Sequence, residues 1–285
     1  MCTLSLLFAA TMLADPDAYP NAKLLIEAEL LAKPDEAKKF RVLDARPKPQ
    51  YLDGHVPGSI WVDTAAWSKI LTQGANGDRW PARLAAVGID STIPVVVYAS
   101  DIRDATRVWT ALKSASVQDV RLLNGGWTAW TDGKYPIEKR ENTAEVKVES
   151  WKKTKPAVST KSDILGILRD KSAQILDART EGEFCGETET AKRAGTIPGA
   201  VRLEWSDLLD PKTKKFKPPG ELKKMIVDRK IDLSKPAVTF CQSGGRASVL
   251  AFGLELMGGK DVRNYYRSWS EWGNAEETPI EKGKR

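Results

Sequence analysis

The chain has 285 residues, of which 41% are hydrophobic and 29% are charged, a balance typical of a soluble enzyme with buried cores. Lysine and arginine number 44 against 38 acidic residues, so the net charge is +6, but no nucleic-acid-binding motif accompanies this excess. A single histidine and three cysteines argue against a Cys–His protease, a zinc site and a disulfide framework.

The chain begins with an apolar segment. Residues 2–14 carry almost no charge, and this run is too short to span a bilayer but has the length of a signal-peptide core. We therefore interpret residues 1–21 as a candidate signal peptide, which favours a periplasmic or secreted protein over a cytoplasmic one, with no stable membrane span. The alternative is a short segment packed on the first domain, because no basic residue precedes the apolar run.

Local patterns in the first half alternate between helix and strand. Short runs of β-branched residues predict buried strands, and apolar residues at helical spacing predict the helices between them. This alternation is typical of parallel strands flanked by helices, whose sites lie at the carboxyl ends of the strands. The predicted helices cover residues 23–33, 81–87 and 105–114, and the predicted strands cover residues 41–43, 95–98 and 120–122.

The second half of the chain repeats the first. Aligned identities 142 positions apart run without a gap from the pair Ile89 and Ile231 to the pair Trp130 and Trp272. Upstream, the runs D-A-R and G-x-x-P-G also occur twice, and the second copy has about eight extra residues between them. The second set of predicted helices covers residues 162–169, 221–229 and 247–257, and the second set of strands covers residues 174–176, 237–240 and 262–265.

A cysteine follows the predicted strand 237–240 and begins the run C-Q-S-G-G-R, residues 241–246. Backbone N–H groups in such a loop, together with the dipole of the helix that follows, form a positive site suited to an anion. The same kind of field lowers the pKa of a thiol and makes the thiolate available as a nucleophile. Gly244 and Gly245 let the backbone curl, and Arg246 adds a fork of hydrogen-bond donors for an oxyanion.

The first copy lacks this loop. Ala99 stands opposite Cys241, both loop glycines are missing, and Asp104 stands where the second copy has Arg246. The charge of Arg246 therefore accompanies the cysteine, which points to a functional role. We predict an inactive domain at residues 22–137, a linker at 138–160 and a catalytic domain at 161–285.

These features resemble those of tandem-domain rhodaneses over roughly residues 22–285. The resemblance is carried by the two D-A-R motifs, the two G-x-x-P-G motifs, the C-x-x-G-x-R loop and the W-x-x-W pair near the end of each copy. It implies an α/β fold with two rhodanese-like domains, each a mainly parallel sheet flanked by helices.

The resemblance also implies a reaction. The Cys241 thiolate would attack the outer sulfur of thiosulfate, a small anionic donor, and carry it as a persulfide until cyanide or a thiol accepts it. No cofactor or metal takes part, and we expect a monomer with no nucleic-acid partner. The loop backbone would stabilise the charge on the terminal sulfur, so the predicted substrate-binding residues are Gln242, Ser243, Gly244, Gly245 and Arg246.

Arg179, at the end of the predicted strand 174–176, is a further predicted substrate-binding residue, because the corresponding arginine of the family contacts the anionic substrate. The alternative is a structural salt bridge, since Arg46 occupies the same place in the copy that has no cysteine. We interpret His55 as a residue that shapes the turn before Pro57, and Cys185 as an incidental thiol.

Other activities remain open. Relatives specific for 3-mercaptopyruvate typically have apolar or hydroxyl residues at the position of Arg246, so this loop is more similar to the thiosulfate branch. Rhodanese-like phosphatases have five residues between cysteine and arginine, whereas this loop has four, residues 242–245. A non-catalytic binding module is the remaining alternative.

Overall fold

The computed structural model describes residues 18–73, 79–90, 92–144 and 157–284. Most of the candidate signal peptide, with Cys2, and the central part of the predicted linker lie outside the described residues. Two residues within the last part of the candidate signal peptide, residues 1–21, contact the second domain. The Tyr19 hydroxyl donates to the Lys217 carbonyl at 2.8 Å, and the Asn21 N–H donates to the Leu256 carbonyl at 3.0 Å.

The first domain is built on a parallel sheet with the strand order β1-β5-β4-β2-β3. Its strands are β1 (Leu25–Ile26), β2 (Arg41–Asp44), β3 (Ile60–Trp61), β4 (Val95–Tyr98) and β5 (Val120–Leu123). Its helices are α1 (Ala28–Leu31), α2 (Pro34–Ala37), α3 (Lys48–Asp53), α4 (Thr64–Thr72), α5 (Trp80–Ala85), α6 (Ile102–Ser114) and α7 (Gly126–Asp132).

The second domain has a parallel sheet of four strands in the equivalent order β7-β6-β8-β9. Its strands are β6 (Gln174–Asp177), β7 (Val201–Arg202), β8 (Ala237–Phe240) and β9 (Val262–Asn264). Its helices are α8 (Lys161–Asp170), α9 (Glu181–Cys185), α10 (Pro219–Asp228), α11 (Gly245–Leu256) and α12 (Ser268–Trp272). An isolated bridge between Val158 and Asn264 occupies the place of the edge strand β1. The predicted fold class, two α/β domains with parallel sheets, is confirmed.

One predicted element is wrong. The helix expected across residues 23–33 is instead a 3-10 turn at Ala22–Leu24, the strand β1, and the short helix α1. Leu25 and Ile26 pair with Leu122 and Leu123 at the edge of the sheet, and this long-range pairing overrides the local helical spacing. Lys33 is extended because a proline follows it, so α2 begins separately.

The two domains pack on each other through equivalent helices, α6 and α11. The Trp109 and Phe252 rings meet edge to face with centroids 5.1 Å apart, and the hydroxyls of Thr110 and Ser248 lie 3.2 Å apart. Lys113 forms an ion pair with Glu255, the residue at the equivalent position of the second copy. A contact between equivalent positions is what an approximate two-fold axis produces. A single apolar core therefore includes residues from both domains.

Among the described residues, no helix has the length and apolar character needed to cross a membrane.

Candidate active site

Cys241 lies at the carboxyl end of β8, immediately before the loop that leads into α11. Its side chain is almost wholly buried, with 1% of the residue exposed. The Gly244 N–H donates to the Cys241 sulfur at 3.1 Å. The Cys241 N–H donates to the Ser268 hydroxyl at 3.1 Å, and its carbonyl accepts from Trp269 at 3.0 Å. The sulfur is thus held inside the loop, beside the N-terminus of α11.

The backbone curl depends on glycine at two positions. Gly244 has φ +86°, and a Cβ there would lie 2.7 Å from the Tyr266 ring. A Cβ on Gly245 would lie 2.3 Å from the guanidinium of Arg107, which reaches the loop from the first domain. Larger residues at either position would have to displace these neighbours. The close packing explains why the loop needs both glycines.

Gln242 and Ser243 face different surroundings. The Gln242 side chain forms two hydrogen bonds with Thr190. Its amide nitrogen donates to the Thr190 carbonyl at 2.8 Å, and its amide oxygen accepts from the Thr190 hydroxyl at 2.7 Å. Thr190 belongs to the extra segment of the second copy, so this insertion supports the loop. Ser243 is exposed, and its carbonyl accepts from the guanidinium of Arg107 at 3.3 Å.

Arg246 is paired with a carboxylate that the sequence analysis did not identify. Its two terminal nitrogens donate to the two oxygens of Glu183 at 2.6 and 2.8 Å. Burial disfavours the charged guanidinium, but the bonds to Glu183 and the electrostatic attraction of the Cys241 side chain outweigh it, so the pKa of Arg246 is raised. The predicted fork toward an oxyanion is therefore engaged by Glu183.

Glu183 has two tasks in the structure. It completes a capping box with Thr180 at the N-terminus of α9, and it pairs with Arg246. Burial raises the pKa of its carboxyl group, but the Arg246 pair outweighs burial and the pKa of Glu183 is lowered. The repeat contained a signal for this residue: the equivalent position of the first copy is Gln50, so the carboxylate accompanies Arg246 and the cysteine.

Arg179 is fully buried and makes the contacts of a structural pair. Its guanidinium binds the Asp177 carboxylate at 2.7 to 3.1 Å and the Gly195 carbonyl at 2.7 Å. It also lies 4.4 Å from the centroid of the Trp269 ring. These contacts match the structural alternative. One buried nitrogen, Nη1, has no hydrogen-bond partner among the described residues, so Arg179 still has a donor to offer.

The first domain repeats this pair almost atom for atom. Arg46 binds the Asp44 carboxylate and the Gly54 carbonyl, and lies 3.8 Å from the centroid of the Trp127 ring. A geometry that occurs with and without a cysteine belongs to the scaffold. The repeat therefore explains why this arginine alone does not identify the copy that has the cysteine.

The loops differ most at the start of the helix that follows. In the first domain Asp101 caps α6, and its carboxylate accepts the Arg103 N–H at 2.9 Å. In the second domain α11 begins after Gly244. The backbone of Gly244 is in the left-handed conformation, and no side chain caps the helix. The helix N-terminus is thus occupied by a carboxylate in one domain and faces a thiol in the other.

The remaining candidates lie apart from this chemistry. His55 is buried in the first domain, stacked on Tyr51 with ring centroids 3.9 Å apart, and its Nδ1 lies 2.7 Å from the Tyr51 carbonyl. These contacts fix the ring within its own domain, and the role predicted for His55 in the turn before Pro57 stays a prediction. Cys185 is a buried free thiol at the end of α9. Across the described part of the chain, no group of three potential ligands could hold a metal ion.

Comparison with known proteins places this geometry in context. A family model, the rhodanese-like domain, matches residues 27–132 and again residues 160–275. The thiosulfate sulfurtransferase of Corynebacterium glutamicum is 30% identical over 94% of this chain and 93% of its own length. The 3-mercaptopyruvate sulfurtransferase of Mus musculus is 29% identical over 86% of this chain and 89% of its own length.

Solved structures share the fold. The anaerobic ergothioneine biosynthesis enzyme from Chlorobium limicola aligns with a TM-score of 0.83 at 23% identity, over 94% of this chain and 72% of that one. The wild-type structure of EanB aligns with a TM-score of 0.82 at 24% identity, over 93% of this chain and 70% of that one. At this level of identity the likeness concerns the fold alone.

Proposed function

This chain belongs to the rhodanese family, and we propose on this basis that it is a sulfurtransferase that moves the sulfane sulfur of thiosulfate to cyanide or a thiol through Cys241. The observation that supports the proposal most directly is the Gly244 N–H bonded to the Cys241 sulfur, beside a helix N-terminus that carries no cap. A negatively charged sulfur is stabilised by such donors, whether it is a thiolate or the end of a persulfide.

The first step is a displacement at sulfur. The Cys241 thiolate attacks the outer sulfur of thiosulfate, a new S–S bond forms, and the original S–S bond breaks. Its electron pair leaves on sulfite. One thiolate and a dianion become one persulfide anion and a sulfite dianion, so no proton or oxidant is required.

The second step regenerates the thiolate. Cyanide attacks the terminal sulfur of the persulfide, the S–S bond breaks, and thiocyanate leaves while the electron pair returns to Cys241. A thiol acceptor reacts as its thiolate and leaves as a persulfide. Backbone N–H groups at the start of α11 hold the terminal sulfur between the two steps.

The sulfonate end of thiosulfate needs donors that are not already satisfied. Arg246 is largely committed to Glu183. The unpartnered Nη1 of Arg179 and the exposed hydroxyl of Ser243 are the side-chain donors that we propose for it. In this scheme Arg246 supplies charge and holds the loop, and the direct contacts come from its neighbours.

The choice of donor follows from the leaving groups. Sulfite leaves without a proton, whereas the carbon of mercaptopyruvate that loses sulfur must gain one to become pyruvate. Residues 242–246 contain no carboxyl, imidazole or phenol group to deliver that proton. The Glu183 carboxylate and the Tyr266 hydroxyl beside the loop are engaged by Arg246 and by Arg107 and Ser68, respectively. The charged residue at the end of the loop, Arg246, also favours the dianion thiosulfate. Mercaptopyruvate is the second candidate donor, because named relatives at similar identity include enzymes for both.

Intact-mass spectrometry tests the proposal. The wild-type protein is incubated with thiosulfate, and separately with mercaptopyruvate, and the gain of one sulfur atom is sought. We expect the addition with thiosulfate, no addition in Cys241→Ala, and thiocyanate formation when cyanide follows. If kcat/KM were higher for mercaptopyruvate than for thiosulfate, mercaptopyruvate would be the donor of this enzyme. No added sulfur from either donor would leave a binding module as the function.

A further inference from the structure

We propose that Arg107, a residue of the domain without a cysteine, is a positioning residue for the catalytic loop. It orients and polarises the peptide unit between Ser243 and Gly244, which donates to the Cys241 sulfur. This inference rests on the proposed function of Cys241 as the nucleophile, but its test does not require a sulfur donor.

The geometry connects Arg107 to the sulfur through a single peptide plane. Nη1 of Arg107 donates to the Ser243 carbonyl at 3.3 Å, and the Gly244 N–H donates to the Cys241 sulfur at 3.1 Å. That carbonyl and that N–H are the two ends of one peptide unit, which is planar. Holding the carbonyl therefore aims the N–H. A cation on the carbonyl also strengthens the N–H as a donor, because hydrogen bonds in a chain polarise one another.

The arginine is itself held in place. The same Nη1 lies 3.1 Å from the Tyr266 hydroxyl, which donates to the Ser68 hydroxyl of the first domain at 2.8 Å. Nε of Arg107 lies 4.0 Å from the Asp104 carboxylate. These contacts lie on both sides of the domain interface. Their combined effect is to fix a long side chain that would otherwise sample several rotamers.

The glycine at the start of α11 makes this approach possible. A Cβ on Gly245 would lie 2.3 Å from Nη2 and 2.5 Å from Cζ of Arg107. Only a residue without a side chain lets the guanidinium lie against the backbone there. The approach of Arg107, as well as the curl of the loop, therefore requires glycine at position 245.

The contact has no counterpart across the two-fold axis. The position equivalent to Arg107 in α11 is Val249, a buried residue that cannot donate to the Ala99 loop. The arginine therefore reaches toward the loop with a cysteine, and the reverse contact is absent. This asymmetry gives the first domain a part in the reaction although it has no nucleophile.

The role predicts a specific pattern of kinetic change. Arg107 does not touch the donor in this scheme, so its loss should lower kcat and leave the KM for thiosulfate within about twofold. The bond is long and partly exposed, so we expect a fall of about three- to tenfold, at the low end for a charge-assisted contact.

Alkylation of Cys241 by iodoacetamide at pH 7, followed by peptide mapping, measures the reactivity of the thiol directly. Arg107→Met should slow alkylation of Cys241 by about three- to tenfold, and Arg107→Lys should restore part of the rate because the ammonium keeps the charge but not the fork. Arg121→Met is the control: Arg121 lies in β5, and its contacts with the Asp119 carboxylate and the Phe40 ring are within the first domain. It should leave the alkylation rate and kcat unchanged.

The sign of the change separates positioning from a structural role. If Arg107 only held the domains together, its loss would open the loop and Cys241 would be alkylated faster. An unchanged or increased rate in Arg107→Met would overturn the proposal. Should that variant unfold, Tyr266→Phe removes one contact of Arg107, and a rate equal to or above the wild type would have the same meaning.

The test also separates this inference from the proposed function. Slower alkylation in Arg107→Met, in a protein that takes no sulfur from any donor, would refute the transfer reaction and leave the positioning role intact. Normal alkylation with active transfer in the wild type would refute the positioning role alone.

Discussion

The loops that follow β4 and β8 have the same scaffold but differ in the group that faces the N-terminus of the next helix. After β4 the chain passes Ala99 and caps the next helix with the carboxylate of Asp101. After β8 it passes Cys241 and leaves the next helix without a side-chain cap. In the first loop a carboxylate therefore occupies the place where an anion would bind. We therefore propose that two features make the first domain inactive: it lacks the cysteine sulfur, and a carboxylate fills its anion site.

The buried arginine–aspartate pairs, in contrast, are alike in the two domains. Arg46 with Asp44 and Arg179 with Asp177 have nearly the same contacts in both domains. A pair that both domains retain stabilises the end of the central strand and does not separate the copy with a cysteine from the copy without one. The residues that differ between the copies carry the information about chemistry, and those that agree carry information about the fold.

The largest expected effect comes from removing the sulfur. Cys241→Ala should abolish transfer, with a loss of at least about a thousandfold, because no other group of the loop can act as a nucleophile. Cys185→Ala should retain most activity. The measurement is the rate of thiocyanate formation, with circular dichroism to confirm that the fold persists.

The reciprocal variant sharpens the comparison. Ala99→Cys, made in the Cys241→Ala background, should restore no activity, since the carboxylate of Asp101 remains at the helix start. A measurable rate in this double variant would contradict the importance given to the cap.

The second prediction concerns the end of the loop. Arg246→Ala should lower kcat/KM for thiosulfate by about ten- to a hundredfold, because it removes a charge beside the sulfur and leaves Glu183 unpaired. Arg246→Lys should recover only part of this loss, since an ammonium cannot make the two parallel bonds.

Comparison of thiosulfate with mercaptopyruvate separates the effect of the charge of Arg246 from the effect of its pairing with Glu183. Mercaptopyruvate has one negative charge and thiosulfate two, so a direct effect of charge should make the loss larger for thiosulfate. Equal losses for both donors would mean that Arg246 serves only to hold the loop through Glu183.

The third prediction transfers the carboxylate of the first-domain loop to the Cys241 loop. Ser243 is the position equivalent to Asp101, so Ser243→Asp places a carboxylate near the sulfur. Repulsion of the thiolate and of the anionic donor should lower kcat/KM by about tenfold, which is modest because this position is exposed. Ser243→Asn is the neutral control of similar size. Equal activity of the two variants would show that the local charge does not separate the loops.

The smallest expected effect concerns stability. Glu183→Gln replaces the carboxyl group with the amide that the first copy has at Gln50. It should lower the free energy of unfolding at pH 7 by about 1–3 kcal/mol. The pKa of Glu183 is lowered in the folded protein, so its stabilisation is present at neutral pH and is lost as the pH falls through the folded value. The wild type and the variant should therefore converge in acid.

Urea unfolding at several pH values between about 3 and 7 measures this convergence. A difference between wild type and Glu183→Gln that stays constant down to the lowest pH would show that the carboxylate charge is not what stabilises the pair.

The sequence by itself was sufficient to identify the two domains and the central strands, and to predict the loop that begins with Cys241 as the site. A repeat of identities at a constant spacing reports a shared fold, and runs of β-branched residues such as Val95–Tyr98 indicate buried strands through local chemistry alone. The absence of Cys241 from the first copy could also be found by alignment, because it needs no knowledge of distance.

Other features depend on contacts between distant parts of the chain. The two-residue strands β1, β3 and β7 exist because neighbouring strands pair with them, and nothing in two residues predicts that. The support of Gln242 by Thr190, the pair of Arg246 with Glu183 and the contact of Arg107 with Ser243 join residues that are 52, 63 and 136 positions apart. Periodicity describes a residue's own helix or strand. The first two contacts were decided by the folding of the second domain, which places the extra segment and α9 against the Cys241 loop. The third was decided by the packing of α6 on α11, which brings the first domain onto that loop.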